Sequence, residues 1–305
     1  MRHAGHILGS ASILLEIEHP RRHTILFSGD LGRPLHPLLR SPEPPPSADT
    51  IVVESTYGDR HHEDDASLSL FEQALARTIA RRGVVVIPSF AVDRTEVVLF
   101  HLFRLVRAGR LRAVPVYVDS PMATAALKLY RAAAQRGDEE IRPEIAAAPD
   151  VFDPAAVTAV RTVEESIALN MMAGPAIIIS ASGMATGGRV LHHLAHRLPD
   201  PANTVILVGY QADGTRGRRL LNGEPAVKML GQYVPVKAEI VNVQAFSAHA
   251  DGSELIGWLR RAPRPPSTVY VVHGDPAAAE ALRAGIVEEI GWKAIVAKHL
   301  QTVRL

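Results

Sequence analysis

Between residues 59 and 236 the sequence alternates short β-rich runs with helical patterns, and few folds accommodate that alternation. The runs are Val84-Val85-Val86-Ile87, Val116-Tyr117-Val118, Ala176-Ile177-Ile178-Ile179 and Thr204-Val205-Ile206-Leu207-Val208. Each is almost continuously apolar, the signature of a strand buried on both faces. Helical spacing lies between them: Leu68, Phe71, Leu75 and Ile79 share one face. Asp93 with Glu96, and Thr162 with Glu165, have capping-box spacing, and Ser120-Pro121 offers an N-cap followed by proline at the first helical position. The pattern predicts a parallel sheet flanked by helices. Its strands end at small or polar residues: Ser89, Ser120, Ser180-Ala181-Ser182-Gly183 and Gly209-Tyr210-Gln211. Carboxyl ends of strands are where open α/β sheets bind ligands, although tight turns need small residues there too.

The flanking segments have a different style. Ser12–Ile17 and Thr24–Ser28 read as short strands joined by a turn at Pro20, and Thr50–Val53 reads as a buried strand. Pro42-Glu43-Pro44-Pro45-Pro46 lies in a connection too long for a plain linker, either a surface loop near a site or a mobile stretch. After residue 237, Ala238–Val243 is an apolar run that leads into Phe246-Ser247-Ala248-His249-Ala250-Asp251 and then a helical pattern. Taken alone, that turn reads as a helix cap with Ser247 and Asp251 as capping residues. Thr268–Val272 is a further buried strand and ends at His273-Gly274.

Composition narrows the chemistry. The 305 residues hold a 47% hydrophobic fraction and a net charge of +1, so a large core is expected and no global attraction to nucleic acid or membrane. No apolar run approaches the ~20 residues of a membrane span, and the first residues carry no signal or transit pattern, so a cytoplasmic protein is expected. There is no cysteine, so a metal would be held by the 14 histidines and the carboxylates. Four apolar runs outside the middle block end in Asp30, Glu54, His249 and His273, and His6 precedes a glycine-containing turn. Imidazole and carboxylate without thiolate suit Zn²⁺, Mn²⁺ or Fe.

His3-Ala4-Gly5-His6-Ile7-Leu8-Gly9-Ser10, Phe27-Ser28-Gly29-Asp30, Glu54-Ser55-Thr56-Tyr57-Gly58, Phe246-Ser247-Ala248-His249 and Val272-His273-Gly274 together resemble the beta-CASP metallo-beta-lactamase ribonucleases. The five motifs run in the family's order from end to end. The resemblance implies an α/β protein: a partial metallo-beta-lactamase αββα sandwich, residues 1–58 and 237–305, with a beta-CASP domain inserted at 59–236. It implies that His6, Asp30 and His273 are zinc ligands, with Asp30 bridging two ions. It implies that Glu54 orients a histidine, that His249 contacts the scissile phosphate and protonates the leaving oxygen, and that Ser247 helps hold the phosphate. Ser182 and Gly183 join Ser247 as substrate-binding candidates, with Arg216, Arg218 and Arg219 as phosphate contacts or a solvated basic turn. The family's His-x-His-x-Asp-His signature has no counterpart here; His61-His62-Glu63-Asp64-Asp65 reads as a solvated loop. His192, His193 and His196 lie on a helix near Gly188, with a solvent- or RNA-facing surface expected.

The functional expectation is therefore zinc-dependent cleavage of RNA, with two ions in the complete protein, RNA as partner and homodimerisation open. The missing signature makes this chain expected to be the C-terminal portion of an enzyme, inactive alone, with an uncovered apolar sheet face that promotes association. A metal-free RNA-binding or scaffold subunit is the alternative, and intact His249 and His273 argue against it. A DNA nuclease is a further alternative; DNA-processing members lack histidine at the position of His273.

Overall fold

A computed structural model describes residues 1–154 and 157–304. The chain forms two compact units. The first takes in Met1–His62, Glu139–Arg142 and the chain from Ala248 onward; the second takes in Glu63–Asp138 and Pro143–Ser247.

The first unit is built on a mixed six-stranded sheet in the order Arg2–His3, Ala11–Ile17, His23–Phe27, Thr50–Glu54, Thr268–Val272, Ala294–Val296. The first three strands pair antiparallel, and the pairings from His23–Phe27 onward are parallel. Helices Gly252–Arg260 and Pro276–Ile290 join the sheet in one core, where Leu255, Leu259, Leu282 and Ile286 meet Leu26, Ile51, Val53, Val269 and Val271. Pairing of Ile13 with Phe27 sets these two beside Leu15 on one face. Their exposures, 48%, 41% and 46%, mark an open apolar patch of the kind that favours association. The proline-rich connection is pinned: Glu43 N–H donates to His3 O, and Trp258 Nε1–H donates to Glu43 O at 2.8 Å.

The second unit holds an all-parallel six-stranded sheet in the order Glu239–Asn242, Thr204–Leu207, Val84–Pro88, Ala176–Ser180, Val116–Asp119, Val157–Ala159. The three strands at its centre are buried throughout, as their unbroken apolar sequences require. Val84 and Val86 pack with Leu194 and Leu198, and helix Asp64–Ala80 packs on the same strand. The run at 239–242, read from sequence as the start of the last segment, instead extends this sheet beside Thr204–Leu207. An apolar run carries no label for the sheet it joins.

Helix starts at Ser120 and Thr162 follow the sequence, the second with a full capping box. The helix Arg94–Arg107 does not. Asp93 makes no side-chain cap; its carboxylate accepts the Tyr130 hydroxyl at 2.8 Å, and its backbone, φ 68 and ψ −51, closes a three-residue turn from Arg94 N–H to Val92 O. His192 and His196 are exposed, as expected of the shared helix face, whereas His193 is fully buried, with its ring nitrogens 2.7 Å from Asp119 Oδ2 and 2.8 Å from Asn170 Oδ1. Arg189 and Ser166 bind the same Asp119 carboxylate, tying helix Val190–Arg197 to the strand end Val116–Asp119.

Glu96 is fully buried and neither carboxyl oxygen finds a hydrogen-bond partner among the described residues. Burial, with Asp93 nearby, pushes its carboxyl from the ordinary 4.5 up to about 8. A carboxyl whose folded value is raised costs nothing below the unfolded value, and its cost grows as pH rises through the window from 4.5 to about 8. We therefore expect Glu96→Gln to raise stability at pH 8 by about 2–4 kcal/mol and by little at pH 5, read by denaturant unfolding at the two pH values. An equal effect at both would show that Glu96 is not buried in its neutral form.

Candidate metal centre

The site in the first unit is assembled by backbone contacts between segments far apart in sequence. Gly32 is where they meet. Its N–H donates to Ala4 O at 2.8 Å, and it bridges His249 across an antiparallel contact. A Cβ on Gly32 would stand 1.7 Å from Gly5 O, so no other residue allows this approach. Ala250 N–H closes the contact by donating to Leu31 O at 2.8 Å. The turn bearing His6 is held by Ser10, whose hydroxyl accepts from His6 N–H and Ile7 N–H.

Glu54, the last residue of its strand, is 1% exposed. One carboxylate oxygen accepts from Leu31 N–H at 2.6 Å and the other from Thr56 N–H at 3.2 Å. Both lie 3.0–3.1 Å from His249 Nδ1. Burial by itself would push this carboxyl up; the hydrogen bond and charge of His249, with the donors on Thr56 and Leu31, outweigh it and hold the carboxyl below its ordinary value. With Nδ1 committed to Glu54, Nε2 is the ring nitrogen of His249 left for other chemistry.

His6, Asp30 and His249 offer donor atoms that all lie within 4.8 Å of one another. Asp30 Oδ2 stands 3.9 Å from His6 Nε2, and Asp30 Oδ1 stands 3.2 Å from His273 Nδ1. Neighbouring ligand atoms of a tetrahedral zinc stand roughly 3.3 Å apart, given bonds of about 2.0–2.1 Å. The donor set thus fits one divalent ion of borderline softness, with Asp30 central and imidazoles on either side. His273 is more than half exposed and sits at φ 54, a strained conformation for a side-chain-bearing residue. It is held there by Thr56, whose hydroxyl reaches both its carbonyl and its Nδ1.

Of the sequence candidates, the first unit brings together His6, Asp30, Glu54, His249 and His273. Ser247, Ser182 and Gly183 belong to the second unit. The Ser247 hydroxyl is buried with no hydrogen-bond partner among the described residues. Ser182 bonds Thr186, and Gly183 lies against the Phe90 ring with its carbonyl taking a hydrogen bond from Gln211. Arg216, Arg218 and Arg219 are each engaged nearby, with Lys228 O and Thr186 O, with Asp213, and with Glu224.

Sequence reasoning missed two residues. Thr56 positions His273, and His62, read as part of a solvated loop, is half-buried. The His62 Nε2 lies 3.1 Å from His249 O, its N–H donates to Asp251 Oδ2, and its ring meets Tyr57 edge-on. No local pattern marks His62, because its partners lie 187 and 189 residues further on. A second group, His62, Asp251 and Glu254, is within reach of a single ion, but its carboxylates are taken up by a helix capping box and by Arg33.

An imidazole–carboxylate cluster carried at the strand ends of a mixed sheet is a donor set of the kind metallo-hydrolases use. Residues 95–220 match the beta-CASP domain, and residues 233–297 match the Zn-dependent metallo-hydrolase RNA specificity domain. The chain is 39% identical over 273 residues to Ribonuclease TTHA0252 of Thermus thermophilus, an alignment covering 89% of this chain and 61% of that protein. It is 34% identical to an RNase J-like protein of Methanocaldococcus jannaschii, covering 89% and 62%. It is 32% identical to transcription termination factor FttA of Pyrococcus horikoshii, covering 100% and 48%. The chain belongs with the beta-CASP metallo-beta-lactamase proteins, and it spans about half to three fifths of the length of these curated relatives.

We expect Asp30→Ala and His273→Ala to lower the zinc retained per chain after dialysis, and Glu54→Gln to change zinc affinity by less than about threefold. A loss of ~10–100-fold in Glu54→Gln, the usual consequence of removing a ligand's hydrogen-bond partner, would make His249 a metal ligand.

Proposed function

We propose that the protein is a zinc-dependent hydrolase of RNA phosphodiester bonds, working in the cytoplasm. The observation that carries this reading is the Glu54–His249 pair set beside Asp30, whose carboxylate lies 3.9 Å from His6 Nε2 and 3.2 Å from His273 Nδ1. In this reading His6, Asp30 and His273 hold zinc, with Asp30 as the shared carboxylate. When bound, the metal supplies Lewis acidity and positive charge beside the phosphodiester. Glu54 accepts a hydrogen bond from Nδ1 of His249 and fixes the ring, so Nε2 is the atom that would pass a proton to the leaving oxygen. Ser247, Ser182 and Gly183 are the substrate-side residues. The matches to an RNA specificity domain and to relatives named as ribonucleases support RNA as the substrate class.

The 305 residues by themselves offer His6, Asp30, His249 and His273 as donors in this cluster, too few to hold two ions tightly. We propose that they bind fewer than two zinc ions and cleave RNA slowly at most. Self-association through the patch of Ile13, Leu15 and Phe27 belongs to the same reading. A second reading, with His249 as a ligand, is favoured by the closeness of its donors to those of His6 and Asp30.

In an active preparation, His249→Ala should lower single-turnover cleavage by roughly 10²–10⁴-fold while changing RNA affinity little, because proton donation matters only in the transition state. Matched RNA and DNA strands test the substrate class in the same assay. Equal cleavage of both, or an unchanged rate in His249→Ala, would defeat the proposal.

A further inference from the structure

Arg189, Arg216, Arg218 and Arg219, after the carboxyl ends of the parallel strands, are engaged by their own neighbours, whereas Arg82 and Arg112 stand at the opposite edge. A cavity of about 470 Å³ opens there, with Arg82, Arg110 and Arg112 around a floor that includes Ile79, Leu111 and Pro175. These residues immediately precede three strands, Val84–Pro88, Val116–Asp119 and Ala176–Ser180, so the cavity lies at the amino-terminal edge of the sheet. No carboxylate lines it among the described residues. Arg110 is gripped by Glu72 through two hydrogen bonds. Arg82 and Arg112 make no ion pair and no side-chain hydrogen bond among the described residues, and both are exposed.

The backbone at Arg82 adds a second observation. Helix Asp64–Ala80 closes with Arg82 N–H donating to Ile79 O and Gly83 N–H donating to Thr78 O. Arg82 takes the left-handed position of that closure, at φ 58, where glycine is the favoured residue. Its charge is not needed to complement the helix end. Arg77 and Arg81 already stand there, and Arg81 spans Ala202 O, Asn203 O, Thr204 and Glu239. A strained arginine with no internal partner among the described residues, lining one cavity with a second such arginine, is arranged for a ligand from outside.

We propose that this cavity binds phosphate groups, with Arg82 and Arg112 as the principal contacts. Guanidinium groups unmatched by carboxylate recognise phosphate oxygens through paired N–H donors. The phosphates come either from a single-stranded RNA running over this edge or from a free phosphorylated small molecule. The RNA source rests on the proposed function; the phosphate site does not.

The test is the double variant Arg82→Gly, Arg112→Gln, measured beside wild type and beside Arg82→Lys, Arg112→Lys. Arg82→Gly relieves the left-handed strain, so its melting temperature should equal or exceed that of wild type and exclude unfolding as a cause. Fluorescence anisotropy with labelled oligouridylate over a salt series reads the RNA arm. Loss of two phosphate contacts should lower affinity at low salt by about tenfold and flatten the slope of log K against log salt by about 1.4, two contacts at ~0.7 each, while the lysine variant keeps the slope. Calorimetric titration with inorganic pyrophosphate reads the other arm. Pyrophosphate binding lost in the double variant, with wild type indifferent to RNA, supports the site and removes the RNA reading. RNA and pyrophosphate binding both unchanged in the double variant, or wild type binding neither, overturns the site.

Discussion

One buried carboxylate fixes His249 beside the candidate metal donors. Glu54 accepts hydrogen bonds from Leu31 of the Asp30 loop, from Thr56 of its own turn, and from His249, which arrives almost two hundred residues later. A carboxylate at 1% exposure is tolerable only because each of its oxygens is met by donors. Its depressed titration range has the same cause: the donors outweigh the burial. Removing any one of them would leave a desolvated charge with fewer partners, so the three segments are coupled through it.

Around that anchor the geometry follows from close backbone contacts. Gly32 lets the Asp30 loop lie flat on the His6 turn, and the same stretch meets the segment of His249. His62 braces His249 from the carbonyl side, and Thr56 braces His273 in its strained conformation. The donors are therefore positioned by a scaffold of hydrogen bonds, which is the condition for strong and selective binding of a small hard-to-borderline ion.

Much of this was legible in the sequence, and for physical reasons. A strand buried on both faces has to be nearly all apolar, so the centre of the parallel sheet and the ends at Glu54 and His273 stand out. The family motifs carried the site further than spacing could, because His6, Asp30, His249 and His273 are joined only in three dimensions. Asp93 and Glu96 have capping-box spacing, yet tertiary packing turned one toward Tyr130 and buried the other, which pushes its carboxyl up. His193 has the look of a surface histidine until Asp119 and Asn170 are seen around it. The strand Glu239–Asn242 was visible as a strand, but its sheet was not, since apolar runs pair by shape and register. The uncommitted charge of Arg82 and Arg112 was illegible because every arginine looks available until its neighbours are known.

The central claim is that Asp30 is shared between His6 and His273 at a metal, with His249 kept aside by Glu54. Anomalous diffraction at the zinc edge, on crystals of the chain equilibrated with zinc, tests it most directly. The account predicts a peak bonded to His6, Asp30 and His273, with the hydrogen bond between Glu54 and His249 Nδ1 intact. A peak bonded to His249, or one lying away from Asp30, would contradict it.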